Sequence, residues 1–153
     1  MKLSFKSKLK SKTKKIILFV CVENAGRSQM AEAFFRKYAP DSYDAVSAGT
    51  HHKSQINPLA VEAMKEVGMD ISNQKPKEMT EDMIRNATKI INMGCMDKNF
   101  CPTLFIHKVV DWNIEDPKDK PLEKVRAIRD EINDRIKKAI ENIDYEEREI
   151  KRN

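Results

Sequence analysis

The order of apolar and polar positions divides the chain into strand-like and helix-like segments that alternate. Residues 16–20 form a short unbroken apolar run, which suits a strand buried on both faces. From 28 to 38 the apolar positions Met30, Ala31, Phe34, Phe35 and Tyr38 recur at helical spacing. Residues 44–47 predict a second strand, closed by Gly49. Asn57 before Pro58 is a helix start, and "LAVEAMKEVGM" keeps its apolar residues on one face until Gly68. Thr80, followed by Asp82 and Met83, opens a shorter helix. Residues 89–93 predict a third strand, and 103–110 contain a fourth. Pro121 begins a long helix to about Ile143, with Leu122, Val125, Ile128, Ile132, Ile136 and Ile140 on one stripe. The charged end "DYEEREIKRN" is expected to fray.

Strands alternating with helices predict an α/β fold, a three-layer α/β/α arrangement around a four-stranded parallel sheet. Sites in such sheets lie beyond the carboxyl ends of the strands. Cys21, Cys95 and the segment 111–117 all fall there.

Composition changes this picture at the ends of the chain. The first fifteen residues, "MKLSFKSKLKSKTKK", hold seven lysines and no acid, which leaves 22 Lys and Arg against 24 Asp and Glu elsewhere. The basicity therefore belongs to an extension, residues 1–14, and one nearly neutral domain is expected over 15–145, with a charged tail over 146–153. Phe5 alone accompanies the lysines as an aromatic, a poor match to a nucleic-acid surface. The longest apolar run, 16–22, is too short to span a bilayer, and it leads into Glu23 and Asn24 rather than a leader cleavage site. A cytoplasmic location is expected. Three cysteines, an odd number, suit reactive or buried thiols better than a disulfide framework.

The segment from Cys21 to Ser28 carries the candidate chemistry. Between a strand end and a helix start, the backbone N–H groups of Val22, Glu23, Asn24, Ala25, Gly26, Arg27 and Ser28 can form an anion cradle. Arg27 offers a bidentate fork to two oxygens of a tetrahedral oxyanion. Ser28 can donate to the sulfur of Cys21, and all of these groups favour the nucleophilic thiolate. Asn24 and Gly26 tolerate unusual backbone angles. The loop predicts a sulfur nucleophile facing a phosphate-like ion. Cys95 and Cys101, joined by polar residues, read either as buried thiols or as partners in thiol exchange. No short-spaced ligand pair joins them to His51, His52 or His107, so no metal site is expected.

"CVENAGRSQMAEAF" resembles the Cys-x5-Arg-Ser loop shared by low-molecular-weight protein tyrosine phosphatases and the arsenate reductases built on the same fold. "RSQMAEA", without a proline after the serine, is similar to the reductase branch. The likeness continues in order through "SAGT", "NPLAVEAMKEVGMDISNQ", "GCMDKNFCP", "DWNIEDP" and "RAIRDEINDRIKKAIE". It covers the chain from Lys15 to about Ile143.

This resemblance implies a low-molecular-weight phosphatase-like fold and an arsenate reductase coupled to thioredoxin or another dithiol. It implies that Cys21 attacks arsenate, that Cys95 then attacks Cys21, and that Cys101 attacks Cys95 in a disulfide relay. Cys95 stands one residue nearer to Cys101 than in some such reductases. Asp116, before Pro117, matches the family's proton donor, with Asp111 and Glu115 as solvated neighbours. "DPKDKP" lacks the aromatics that hold a phenyl ring, which favours a small arsenate or phosphate ion. Some members bind potassium beside the loop; here the matching positions are Asn24, Glu32, Ser47 and, for an acid, Lys77. No metal is therefore expected, and the Lys77 ammonium is expected to stand in its place. No cofactor is implied, and a monomer is expected. The other reading is a low-molecular-weight phosphatase with a Cys21 phosphocysteine intermediate, in which Cys95 and Cys101 protect Cys21 from oxidation.

Overall fold

The computed structural model describes residues 14–94 and 107–152. Strand β1 (Lys15–Cys21) lies inside a four-stranded sheet of order β2-β1-β3-β4, with β2 at Tyr43–Gly49, β3 at Lys89–Asn92 and β4 at Val109–Asp111. All three pairings are parallel, with Cys21 opposite Gly49 and Val20 opposite both Ala48 and Asn92. The helices are α1 (Arg27–Tyr38), α2 (Pro58–Glu66), α3 (Glu81–Asn86) and α4 (Leu122–Arg152).

The alternation of side chains along β1 builds the layers. Ile17, Phe19 and Cys21 point into the larger core, formed with residues of α1, α2 and α4. Leu18 and Val20 point the other way, toward Ala48, Ile84, Ala87 and Ile90. Both faces of β1 are thus covered, which is why it reads as a continuous apolar run. The expected three-layer α/β/α arrangement is the observed one.

Local signals set the helix ends. Asn57 accepts from the N–H of Leu59 at 2.9 Å ahead of Pro58, and the Thr80 hydroxyl accepts from the N–H of Met83 at 3.2 Å. Gly68, at φ +82°, takes the left-handed conformation that follows α2. Helix α1 differs: its N-cap is Gly26, and no side chain caps it. Its first-turn donors are therefore left for another acceptor.

Two expectations are corrected. The last helix does not stop near Ile143 but runs to Arg152, so the charged end expected to fray as a tail from 146 is helical. An ion pair about one turn apart supports it there, between Arg152 and Glu149 at 3.7 Å. The fourth strand covers Val109–Asp111; His107 and Lys108 form a short turn, and 103–106 lie outside the described residues. Among the described residues no helix is long and apolar enough to cross a membrane.

Candidate active site

Cys21 ends β1 and is buried, and the chain after it turns sharply toward α1. The turn is held from outside. The carbonyls of Cys21, Val22, Glu23 and Ala25 accept from the N–H groups of Thr50, His51, Lys53 and Asn57, at 3.2, 2.8, 2.9 and 2.8 Å. The Asn24 carbonyl accepts from Gln29 Nε2 at 3.0 Å, and that of Gly26 from the Met30 N–H at 3.0 Å. In a planar trans peptide the carbonyl and the next N–H point in opposite directions. Turning six successive carbonyls outward therefore turns the N–H groups of residues 22–27 inward. One of these, of Asn24, reaches Cys21 Sγ at 3.2 Å. Asn24 adopts φ +52° to make the turn. Gly49 lets the loop approach β2: a Cβ there would lie 2.6 Å from the Val22 carbonyl oxygen and 2.9 Å from the Asn24 nitrogen.

A chain of hydrogen bonds positions the Ser28 hydroxyl against the sulfur. The N–H of Lys77 donates to Asn24 Oδ1 at 2.8 Å, which identifies that atom as the amide oxygen. Asn24 Nδ2 must then be the atom donating to Ser28 Oγ at 2.7 Å. When Cys21 is a thiolate, with no proton to give, the hydroxyl is the donor across its 2.9 Å contact with Cys21 Sγ. Two donors thus converge on the sulfur.

Arg27 is buried at the start of α1. Its Nη1 donates to the carbonyls of Ile114 at 2.8 Å and Met93 at 3.3 Å, and its Nη2 faces Asp116 Oδ2 at 3.5 Å. Asp116 is half-exposed and held by the N–H of Lys118, which donates to Oδ1 at 3.0 Å. Pro117 packs so closely on Gly26 that a Cβ there would lie 3.0 Å from its ring. Cys21, Gly26, Arg27 and Asp116 line one small cavity. That arrangement can hold a tetrahedral oxyanion on inward N–H groups and Arg27, with a sulfur on one side and a carboxyl group near.

Residues 16–149 match the family described as low molecular weight phosphotyrosine protein phosphatase. The chain belongs to that family. An arsenate reductase of Brevibacillus brevis is 41% identical over 129 residues, 84% of this chain and 96% of that protein. The solved thioredoxin-dependent arsenate reductase of Corynebacterium glutamicum is 37% identical, with a TM-score of 0.75 over 92% of this chain and 67% of that one. A structure described as an arsenate reductase in the phosphate binding state is 31% identical, with a TM-score of 0.75 over 84% of this chain and 98% of that one.

Within this phosphatase-family fold, Cys21, Arg27, Ser28 and Asp116 come together as expected. Cys95 and Cys101 lie outside the described residues. The chain leading to Cys95 does reach the site: a Cβ on Gly94 would lie 3.1 Å from Arg27 Nη1. Trp112 packs on Phe19, their ring centres 6.1 Å apart, and His51 and His52 are exposed loop residues. Glu115 pairs with Lys124 at 3.0 Å, whereas Asp111, expected as merely solvated, accepts from Asn92 Nδ2 at 2.9 Å.

Of the four residues matching the potassium positions of some family members, Ser47 has a buried hydroxyl oxygen with no hydrogen-bond partner, while the other three already have partners. Asn24 Oδ1 already accepts from Gln29 Nε2 and the Lys77 N–H, at 2.9 and 2.8 Å. Glu32 accepts from Gln74 at 3.2 Å and faces Arg36 at 3.7 Å. The Lys77 ammonium, expected between them, donates instead to the Lys75 carbonyl at 3.4 Å. Its charge still acts on Glu32, whose carboxyl is raised above its ordinary 4.5, first by burial, against the opposing pull of Arg36 and Lys77. Among the described residues no group of three His, Cys, Asp or Glu could hold a metal ion.

Sequence reasoning overlooked two contributors. The main chain of residues 50–57 holds the loop, and Gln29 ties Asn24 to the Lys75 carbonyl at 3.2 Å. Only the glycine of "SAGT" hints at the first, because backbone hydrogen bonds leave no mark on residue type.

Proposed function

We propose that this chain is an arsenate reductase that uses Cys21 as nucleophile and passes oxidising equivalents through Cys95 and Cys101. The observation that carries the reading is the pair of donors on Cys21 Sγ, from the Asn24 N–H and the Ser28 hydroxyl, inside a loop whose carbonyls all point away. Its relatives of 41% and 37% identity, both arsenate reductases, support the choice of substrate.

Arsenate sits on the N–H groups of residues 22–27 with Arg27 across two oxygens. The Cys21 thiolate attacks arsenic and forms an As–S bond, and one oxygen leaves as water with a proton from Asp116. Asp116 is placed for this by the Lys118 N–H that orients its carboxyl group and by lining the same cavity as Cys21 and Arg27. The Cys95 thiolate next attacks Cys21 sulfur. An S–S bond forms, the As–S bond breaks, and its electron pair reduces arsenic from the pentavalent to the trivalent state. The position of Gly94 against Arg27 supports this reach, because Cys95 is only one peptide, ~3.8 Å of chain, further on. The Cys101 thiolate then attacks Cys95, releases Cys21 and leaves a Cys95–Cys101 disulfide. An external dithiol such as thioredoxin reduces it.

The test is arsenite release over many turnovers with thioredoxin and its reductase, beside hydrolysis of p-nitrophenyl phosphate. Cys101→Ser is expected to stop arsenite release after one turnover and to leave ester hydrolysis in place. Sustained release by Cys101→Ser refutes the relay. Ester hydrolysis without any arsenite release returns the chain to the phosphatase reading.

A further inference from the structure

The site opens outward past a charged wall. Glu23 lies in the oxyanion loop itself, with its side chain partly buried, and Lys118 Nζ donates to its Oε1 at 3.0 Å. Lys53 Nζ approaches the same oxygen at 3.8 Å from the segment that braces the loop. Two cavities meet at this pair. The inner one, about 20 Å³, holds Cys21, Arg27 and Asp116; the outer one, about 430 Å³, is bounded by Lys53, Ser54, Leu59 and Lys120. Glu23, Ala25, Asn57 and Lys118 line both. The bridge thus stands between the space for an oxyanion and the space where a substituent on it would lie.

We propose that the Glu23–Lys118 ion pair is the specificity-determining wall of the site, which admits a free tetrahedral oxyanion and excludes one carrying an organic substituent. The proposal rests on the oxyanion-site reading above. Three observations argue for it. First, a carboxylate in an anion-binding loop opposes its function unless neutralised, and two lysines from different segments do so. Second, the bridge has a fixed base: Asp116 Oδ1 accepts from the Lys118 N–H, and Pro117 rests on Gly26. The same short segment that presents Asp116 therefore presents Lys118. Third, the Glu23 carboxylate holds the Lys118 ammonium above the ordinary lysine range, through their hydrogen bond first and their charges second, with Asp119 and Asp116 adding to it. The partially exposed setting makes this a gate of modest strength.

The experiment compares binding of inorganic phosphate and of phenylphosphonate by titration calorimetry, at one ionic strength, to the full chain. The charge-neutral double variant Glu23→Gln/Lys118→Met removes the bridge without changing net charge. Its preference for phosphate over phenylphosphonate is expected to fall by about threefold or more, on the scale of one exposed ion pair. Lys118→Arg, which can remake the pair, is expected to keep the preference of the wild type. An unchanged preference in the double variant, or an equal fall in Lys118→Arg, overturns the proposal. So does a lack of phenylphosphonate binding in wild type and double variant alike. Neither ligand needs reduction: a shifted preference without arsenite release keeps the wall and removes the arsenate reading, and an unchanged preference with arsenite release does the reverse.

Discussion

Replacing Ser28 with alanine tests the hydrogen-bond chain on which the nucleophile depends. In the native site the Lys77 N–H fixes the Asn24 amide, Asn24 Nδ2 donates to Ser28 Oγ, and the hydroxyl donates to the Cys21 thiolate at 2.9 Å. A hydrogen bond to a charged group contributes about 1.5–3 kcal/mol. Losing one of the two donors makes the thiolate costlier to form by that amount, while the less stabilised sulfur becomes more nucleophilic, so the reaction at neutral pH should slow by roughly 4- to 15-fold. The Asn24 N–H remains at 3.2 Å, so some reactivity should survive. Asn24 Nδ2 also loses its acceptor in a buried place, a separate cost of about 1–3 kcal/mol in stability. The two effects separate by assay. Single-turnover arsenite formation and the rate of Cys21 alkylation by iodoacetamide at neutral pH report on the sulfur, and urea unfolding reports on the amide. A Ser28→Ala protein that is less stable but reacts within twofold of wild type in both thiol assays would refute the assigned direction of the chain.

Two further outcomes follow from the same geometry. Gly49→Ala should lower stability by about 1–3 kcal/mol and weaken phosphate binding in calorimetry, because its Cβ would stand 2.6 Å from the Val22 carbonyl and push the loop off its brace; unchanged phosphate affinity would count against the brace. Glu32 carries a raised folded-state value, so the native protein holds its proton above 4.5 where the unfolded chain has lost it. Its contribution to stability therefore falls as pH rises through that window, and Glu32→Gln should flatten the dependence. Urea unfolding of both proteins at pH 5 and pH 8 checks the sign, and parallel changes would reject it.

How much of this was legible in the sequence depends on whether side chains or main chain carry the information. Residues 16–20 and the stripe from Val125 to Ile140 foretold β1 and α4 because burial selects residue types. The end of α4 was misjudged for a related reason. Its last turns bury little, and Tyr145 and Ile150 are exposed, so no apolar stripe continues there to mark the helix. Cys21, Arg27 and Ser28 could be read as one group because their chemistry is written in their side chains, whereas Asp116 stood out from Asp111 and Glu115 only through the family's Asp-Pro pattern. Lys77 was given a place by side-chain type alone, yet its N–H is what reaches Asn24, while its ammonium lies at the Lys75 carbonyl.

The oxyanion cradle makes the same point at the level of function. Nothing in "VENAG" says which way its peptide planes face, and several of its residues could be exchanged without changing a plane. The direction comes from residues 50–57, which meet the loop only after β2 has paired in register with β1 and brought Gly49 beside Cys21. The loop after Cys21 is therefore oriented by the sheet. A one-residue slip of β2 would move Thr50, His51 and Lys53 past their acceptors and also turn Ala45 and Ser47 to opposite faces. Packing of Ala45 in the larger core prevents that slip, so the energy that orients the N–H groups comes from the core beneath them. A loop borrowed from this protein without its β2 partner would keep Cys21 and Arg27 and lose the cradle.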